Sequence, residues 1–326
     1  MTGLLTTAVG SLPKPDYLAR ARAAFASGRI DGGELDKLTR QATAECIRMQ
    51  ERVGLDILVH GEMERGDMVA YFAELLTESM AIGGLVRSYG NRYYHKPVIT
   101  GELHWQEPMT VDVWRYAQGL TEKPVKGMLT GPYTMVDWSF DERYGSRREA
   151  VLAMAQVVRR EAQELVKAGA RFVQVDEPAA STRPEEMELV SEALGVVTEG
   201  LGARTITHIC YGDFARVFHH IAGLPVDQLD LEMANSDYDL LGLIREHRDE
   251  FGKELAMGVV DVHSHVVEPL DEVKAGIKRG LELLPPERLF IDPDCGLKTR
   301  TWDEAEAKLK VLVQATREVK RELEID

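Results

Sequence analysis

Cysteine is scarce in this 326-residue chain, and positive charge is in deficit. Cys46, Cys210 and Cys295 are the cysteines, and a sparse, odd number does not make a disulfide framework. We expect reduced thiols in a cytoplasmic protein, where thiols often serve as metal ligands or catalytic groups. Lys and Arg number 39 against 54 Asp and Glu, and the net charge of −15 disfavours binding to nucleic acid or anionic membranes.

Several other signals are also missing. No apolar run approaches the roughly 20 residues that span a bilayer, and from the first residues we expect no signal peptide. We find no internal repeat, linker or low-complexity segment. With 44% hydrophobic and 29% charged residues, the composition is that of a globular protein, and we expect one domain over 1–326.

Short apolar strands alternate with longer amphipathic helices along the chain. The pattern predicts strands at 6–11, 56–62, 124–131, 171–178, 205–210, 228–234, 255–262 and 287–295. Eight strands separated by helices indicate an α/β protein with a (β/α)8 TIM barrel. A doubly wound open sheet is the alternative, but no glycine-rich phosphate loop follows the first strand.

Two of the helices carry clear end signals. Ser146 with Glu149 forms a potential capping box before helix 147–168, and Gly169 suits its C-terminal cap. Thr301 with Glu304 gives the last helix the same start. Further helices are expected near 34–53, 67–78, 183–198, 213–221, 238–247 and 270–283. The irregular, aromatic stretch 84–112 is predicted to be an insertion after the second strand, either a lid or a short hairpin.

Polar side chains cluster at the predicted strand ends, which converge on one face of a barrel. His208 and Cys210 lie two residues apart and would point to the same side of a strand. Imidazole and thiolate together suit zinc, and Glu232 and Cys295 could complete four ligands. The alternative is that Cys210 and Cys295 are small buried hydrophobic residues, as free cysteines often are.

The remaining strand-end groups could bind a substrate. Glu62 and Asp176 could hold an ammonium group by charge-assisted hydrogen bonds, or could form ordinary salt bridges. His263 could act as a general acid or base, or could be structural. Trp138 could stack on a planar cofactor or could simply pack.

Long motifs follow one another in order along the chain: VGSLPKP, LVHGEMERGDMVAYF, SYGNRY, KPVKGMLTGPYTMVDWSF, FVQVDEPA, THICYGDF, DVHSH and DPDCGLKTR. They closely resemble the catalytic C-terminal half of cobalamin-independent methionine synthase, and the resemblance covers nearly the whole chain. It implies a zinc-dependent methyltransferase that makes methionine by transferring a methyl group to the zinc-bound thiolate of homocysteine.

The resemblance also assigns roles by position. It implies zinc ligands at His208, Cys210, Glu232 and Cys295. Homocysteine would be held by Val9, Gly10, Ser11, Glu62 and Asp176, and His263 would donate a proton. The positions that line the folate site in the long enzymes are Arg92, Tyr93 and Trp138.

Two departures bear on the methyl donor. The resemblance implies a second, N-terminal barrel in the long enzymes, which we do not find in this sequence. It also implies an acidic residue that contacts folate at the position where this sequence has Thr182. From these departures we predict that the donor is methylcobalamin or a methylated corrinoid protein partner. Methyltetrahydrofolate is the alternative donor.

Three other functions stay open. The chain could transfer the methyl group to another thiol such as coenzyme M, although two carboxylates facing the ligand disfavour a sulfonate. It could be a zinc hydrolase that uses His263 and His265, although hydrolytic zinc prefers oxygen and nitrogen ligands over Cys210 and Cys295. It could also be a non-enzymatic zinc-binding partner protein.

Overall fold

The computed structural model describes residues 3–87, 93–210, 212, 214–248 and 251–325. Its helices are α1 (Asp16–Ala26), α2 (Gly32–Val53), α3 (Ala70–Leu75), α4 (Val111–Gln118), α5 (Pro132–Asp137), α6 (Arg147–Ala168), α7 (Met187–Thr198), α8 (Phe214–Ala222), α9 (Asp239–Glu246), α10 (Leu270–Leu281) and α11 (Trp302–Glu322). None of the described helices is long and apolar enough to cross a membrane.

The strands are β1 (Leu5–Thr6), β2 (Met80–Arg87), β3 (Tyr93–Ile99), β4 (Gly127–Thr130), β5 (Phe140–Asp141), β6 (Phe172–Asp176), β7 (Arg204–Ile209), β8 (Gln228–Leu231), β9 (Glu254–Gly258) and β10 (Leu289–Asp292). The alternation of parallel strands with helices confirms the α/β class. A closed eight-stranded barrel stays a prediction.

The chain divides into two compact units, of which the first comprises Met1–Glu64, Val113–Lys126 and Gln228–Asp326. Its strands pair in parallel in the order β1-β10-β9-β8. Leu5 pairs with Phe290, and Leu289 pairs with Leu255. These strands are buried on both faces, as parallel strands covered by helices usually are.

The second unit comprises Arg65–Asp112 and Gly127–Asp227. Its parallel strands pair in the order β7-β6-β4, with Phe172 opposite Arg204 and Gly127 opposite Val173. A separate three-stranded sheet has the order β2-β3-β5. Its antiparallel pair β2–β3 lies within and next to the stretch 84–112, for which we had allowed a hairpin. That this stretch is an insertion, and that it acts as a lid, stay predictions.

The two helices with clear end signals begin where the sequence predicts. Ser146 accepts the N–H of Glu149 at the start of α6, and Gly169 ends that helix in the left-handed conformation. Thr301 and Glu304 form a complete capping box at α11, since each side chain accepts the backbone N–H of the other residue. Local hydrogen bonding therefore accounts for the predicted ends of these helices.

The predicted strand 56–62 is wrong as a regular strand. Among its residues, Leu58 makes an isolated parallel bridge with Val125. Gly61 and Glu62 have positive φ values of 76° and 55°, which end any extended conformation. The first predicted strand, 6–11, is reduced to Leu5–Thr6. The Thr7 N–H still donates to Ile291 of β10, but the Ser11 carbonyl and the Leu12 N–H bond to residues outside the strands.

A reciprocal Thr–Asp clasp occurs once in each unit. In the first, the N–H and hydroxyl of Thr6 both donate to the Asp56 carboxylate at 2.8 Å, and the Asp56 N–H donates back to the hydroxyl. In the second, Thr205 and Asp227 repeat the three hydrogen bonds. Each clasp joins a strand residue to a segment further along the chain: Asp56 follows α2, and Asp227 follows α8.

Candidate functional site

The loop after β1 places Val9, Gly10 and Ser11 in the first unit. The Ser11 carbonyl accepts the N–H of Leu297 at 2.8 Å. A Cβ atom on Gly296 would lie 2.2 Å from the Ser11 hydroxyl oxygen, so a larger residue there would displace the Ser11 side chain. Ser11 therefore packs against the residue that directly follows Cys295.

Glu62 lies on a left-handed turn in the same unit. The N–H of Leu12 donates to the Gly61 carbonyl at 3.2 Å, and the N–H of Glu62 donates to Nδ1 of His60 at 3.1 Å. A non-glycine residue at positive φ costs on the order of 1–3 kcal/mol and persists where its surroundings fix it. The half-buried Glu62 is thus a strained residue beside the Ser11 loop.

Glu232 and Cys295 are tied together through Asp294. The Asp294 carboxylate accepts the backbone N–H groups of Met233 and Ala234 at 2.9 Å and of Asn235 at 2.8 Å. The Asn235 amide also donates to Glu232 at 3.3 Å. Burial raises the pKa of Asp294 to about 7, the negative charge of Glu232 adds to the rise, and the three N–H donors oppose it.

Asp176, His208 and Cys210 belong to the second unit, at the carboxyl ends of β6 and β7. The N–H of Glu177 donates to the His208 carbonyl at 3.0 Å, and the Ser181 hydroxyl donates to the Cys210 carbonyl at 3.1 Å. Asp176 accepts a hydrogen bond from Gln174 at 2.8 Å. These three predicted site residues are all buried.

Three of the four predicted zinc ligands form a group. The ligand atoms of His208, Cys210 and Cys295 all lie within 4.8 Å of one another. One imidazole and two thiols are the donor types that zinc prefers, so the residues present fit that ion. Within the described part of the chain, His263 and His265 belong to no such group.

His263 lies on the loop between β9 and α10. The backbone N–H of His263 donates to the Asp261 carboxylate at 2.7 Å, and the backbone N–H of Asp261 donates to the Glu268 carboxylate at 2.8 Å. The buried Lys308 ammonium binds Glu268 at 2.9 Å, which anchors the loop to α11. The His263 side chain itself is exposed. His265 instead contacts Glu304, the capping residue of α11.

The structure describes two of the three residues that were predicted to line the folate site. Arg92 lies outside the described residues. Tyr93 is exposed at the start of β3, and Trp138 is half-buried at the end of α5. The Tyr94 hydroxyl donates to the Trp138 carbonyl at 3.2 Å, so the start of β3 lies beside Trp138.

Sequence reasoning assigned no role to several residues that contact the candidate site residues or their neighbours. Asp294, which accepts the N–H groups of residues 233–235, is one of them. Gln50 was not singled out, because a buried glutamine on a helix carries no chemical motif. Lys14 stands in the quoted VGSLPKP motif, and burial lowers its pKa while Glu62 opposes that change. The motif was a usable signal for Lys14.

The structure is that of an α/β protein with a thiol-rich group of residues that could hold a metal ion. Residues 4–318 match the family described as the catalytic domain of cobalamin-independent synthase. The chain belongs to this family. The family resemblance read from the motifs is therefore confirmed.

Individual relatives agree. The 5-methyltetrahydropteroyltriglutamate–homocysteine methyltransferase of Streptomyces avermitilis is 43% identical over 330 residues, which cover 98% of this chain and 42% of that protein. The chain thus spans less than half of the curated relative. A B12-independent methionine synthase structure from Shewanella sp. W3-18-1, in complex with selenomethionine, is 27% identical with a TM-score of 0.87, covering 98% of this chain and 99% of that one. A Listeria monocytogenes structure at 20% identity and a TM-score of 0.74, covering 96% of each chain, shows the fold alone.

The predicted methyl donor was wrong. We expected methylcobalamin or a corrinoid protein, but the family is cobalamin-independent and the Streptomyces relative is named for a methyltetrahydropteroyl donor. The expectation had relied on a missing second barrel and on Thr182. The hydroxyl of Thr182 bonds to the Ala179 carbonyl at 2.7 Å within its own turn, so its contacts say nothing about a corrinoid.

Proposed function

We propose that this chain transfers a methyl group from a methyltetrahydropteroylglutamate to the sulfur of homocysteine and so forms methionine. The observation that carries the proposal is the group of His208, Cys210 and Cys295 ligand atoms within 4.8 Å, in a chain of the cobalamin-independent family. The names of the Streptomyces and Shewanella relatives support the same reaction. The latter relative is matched over 99% of its length.

His208, Cys210, Cys295 and Glu232 would hold one zinc ion. Zinc lowers the pKa of a thiol and keeps it as the thiolate, which is the nucleophilic form of sulfur. The carboxylate of Glu232 would be oriented by Asn235, and Asp294 holds the turn on which Asn235 lies. Partners of this kind fix the direction of ligands before a metal binds.

Homocysteine would be bound by its two charged ends. Glu62 and Asp176 would accept hydrogen bonds from its ammonium group, since charge-assisted bonds of this type are short and strong. The backbone of Val9, Gly10 and Ser11 would hold its carboxylate, with Gly296 allowing the close approach of Ser11. Binding both ends orients the sulfur for in-line attack on the donor methyl.

His263 would supply the proton that the leaving group needs. As the sulfur–carbon bond forms, the bond between the methyl carbon and the pterin nitrogen breaks, and that nitrogen leaves well only when it gains a proton. His263 is exposed and its N–H is fixed by Asp261, so the imidazole can meet a donor that enters from solvent. Tyr93 and Trp138 would contact the pterin by stacking, together with Arg92.

We infer the finer architecture in the same way. The parallel strands of both units, with residues 56–60 as an irregular further strand, would form a (β/α)8 barrel within one domain over 1–326. The β2–β3 pair would then be the insertion after the second strand. A cytoplasmic location stays a prediction.

A turnover assay tests the reaction. Purified, zinc-loaded full chain would be given homocysteine with methyltetrahydropteroyltriglutamate, with the monoglutamate, or with methylcobalamin. We expect methionine from at least one of the folates and none from methylcobalamin. His263→Gln should retain homocysteine binding and lose about 10²–10⁴-fold in kcat. Turnover with methylcobalamin and with neither folate would overturn the proposal.

A further inference from the structure

Gln50 on α2 occupies a position that a neighbouring strand would normally fill. Its side chain is buried, and its amide makes both backbone hydrogen bonds of Val59: Oε1 accepts the N–H at 2.9 Å, and Nε2 donates to the carbonyl at 2.7 Å. Two residues earlier, the N–H of Ile57 bonds to Thr6 of β1 at 3.0 Å. Backbone hydrogen bonding to β1 is therefore replaced at Val59 by hydrogen bonds to the side-chain amide of Gln50.

The opposite edge of the same segment is paired in the ordinary way. The N–H of Leu58 donates to the Pro124 carbonyl, and the N–H of Lys126 donates to the Leu58 carbonyl, both at 2.8 Å. Residues 57–59 are thus held from both sides, and Gln50 supplies the side that β1 leaves open. A buried backbone pair without such a partner would be costly.

The left-handed turn follows two residues after Val59. A Cβ atom on Gly61 would lie 2.6 Å from the Cys46 sulfur, so Gly61 packs directly on α2. The Nε2 of Gln50 also contacts that sulfur at 3.1 Å. One helix face, formed by Cys46 and Gln50, therefore fixes both the start of the turn and its glycine, and the strained Glu62 follows at once.

We propose that Gln50 is a positioning residue for Glu62. Its amide fixes Val59, and the packing of Gly61 on Cys46 then directs the Glu62 carboxylate toward the ammonium group of homocysteine. This rests on the role given to Glu62 in the proposed function. The strained conformation of Glu62 is the reason to expect it, because a backbone held away from its favoured region needs surroundings that over-determine it.

A double-mutant cycle on homocysteine binding tests the relationship. Isothermal titration calorimetry on zinc-loaded protein would compare wild type, Gln50→Met, Glu62→Gln and the double variant. We expect Glu62→Gln to weaken binding by about 10- to 100-fold and Gln50→Met by about tenfold. The double variant should bind about as weakly as Glu62→Gln alone, because Gln50 acts through Glu62. A purely structural role would instead multiply the two effects.

Two further variants keep the result independent of folding defects. Thr43→Val alters a buried hydroxyl of α2 that bonds within its own helix, to Thr39, and should leave homocysteine affinity and zinc content unchanged. Gln50→Glu can make both bonds to Val59 only while its carboxyl is protonated. Its affinity relative to wild type should therefore recover as the pH is lowered.

The outcomes separate the two proposals. Weakened binding in Glu62→Gln with wild-type binding in Gln50→Met would overturn the inference alone, as would effects that multiply in the double variant. Unchanged binding in Glu62→Gln would remove Glu62 from the homocysteine site. That result overturns the positioning role together with this part of the proposed function.

Discussion

The carboxylate of Asp294 accepts the backbone N–H of Asn235 at 2.8 Å, which joins the turn after β8 to the loop after β10. Asp294 directly precedes Cys295, and Asn235 bonds to Glu232. The side chain of Asp294 thus connects two proposed ligands from different parts of the sequence. Asp294 is not itself a proposed ligand.

Asp294→Asn should lower both stability and zinc affinity. An amide offers one acceptor oxygen in place of two, and its NH2 group would face the N–H donors of residues 233–235. We expect a loss of about 1–3 kcal/mol in the free energy of unfolding and a 10- to 100-fold loss in zinc affinity, by order of magnitude. Denaturant titration and competition with a metal indicator would measure these. Asp271→Asn, at an exposed carboxylate on α10, is the control; equal zinc affinity in both variants would contradict the role of Asp294.

Substitutions of the three cysteines should not all affect the zinc content of the protein in the same way. Cys210→Ser and Cys295→Ser should lose most of their zinc on dialysis and lose methionine formation with it, because a thiolate ligand is missing. Cys46→Ser should keep its zinc, since the Cys46 sulfur contacts Gln50 and Val59 instead. Elemental analysis gives the zinc-to-protein ratio directly. Full zinc in both Cys210→Ser and Cys295→Ser would exclude them as ligands.

Glu161→Gln should be strongly destabilising although it lies outside the candidate site. The fully buried Glu161 carboxylate accepts the Trp105 indole N–H, the Met109 N–H, and both the N–H and the hydroxyl of Thr110. In the glutamine variant an NH2 group would face these N–H and hydroxyl donors, and no hydrogen bond could form between them. We expect a loss of about 2–3 kcal/mol in the free energy of unfolding. Urea denaturation would measure it.

The matched control for this change is on the same helix. Glu164→Gln removes surface ion pairs with Arg160 and Lys167, and it should cost under about 1 kcal/mol. If the two variants were equally stable, the hydrogen bonds of Glu161 would not be anchoring residues 105–110 to α6.

The capping box of α11 should make stability depend on acid pH. The Thr301 N–H, followed by His265, lowers the pKa of Glu304 from 4.5 to about 2. A carboxylate with a depressed folded-state pKa stabilises the fold fully above its ordinary pKa, and the contribution is lost as the pH falls through about 2. Glu304→Gln should therefore lower the melting temperature near neutral pH, and the gap should close near pH 2.

Calorimetry across that range would test the capping effect. Glu287→Gln, at an exposed carboxylate before β10, should show no such pH-dependent difference from wild type. A gap between Glu304→Gln and wild type that persists at the acid end would contradict the assigned cause.

Where the sequence predicted well, the determining contacts were local. The starts of α6 and α11 follow from Ser146 and Thr301 and from residues three positions later. The strand predicted at 56–62 failed because its edge is completed by Gln50, a side chain on the preceding helix, and because Glu62 adopts a left-handed conformation. Neither appears in the hydrophobic pattern.

The metal-ligand types of the candidate site could be predicted from the sequence, but the methyl donor could not. The H-x-C pair and Cys295 are legible in sequence, and the structure groups their ligand atoms. The donor prediction relied on what was missing from the chain, and an absence does not specify which methyl carrier fits.

The reciprocal clasps Thr6–Asp56 and Thr205–Asp227 have a practical consequence for engineering. Thr6 is the last residue of β1 and Thr205 lies near the start of β7, whereas Ser11 follows five residues after Thr6 and His208 lies near the end of β7. The hydrogen bonds of the clasps and the proposed site residues therefore belong to different positions in these two segments. A thermostable variant could be sought by redesigning the clasps and the segments around them, while every group that touches substrate keeps its wild-type identity.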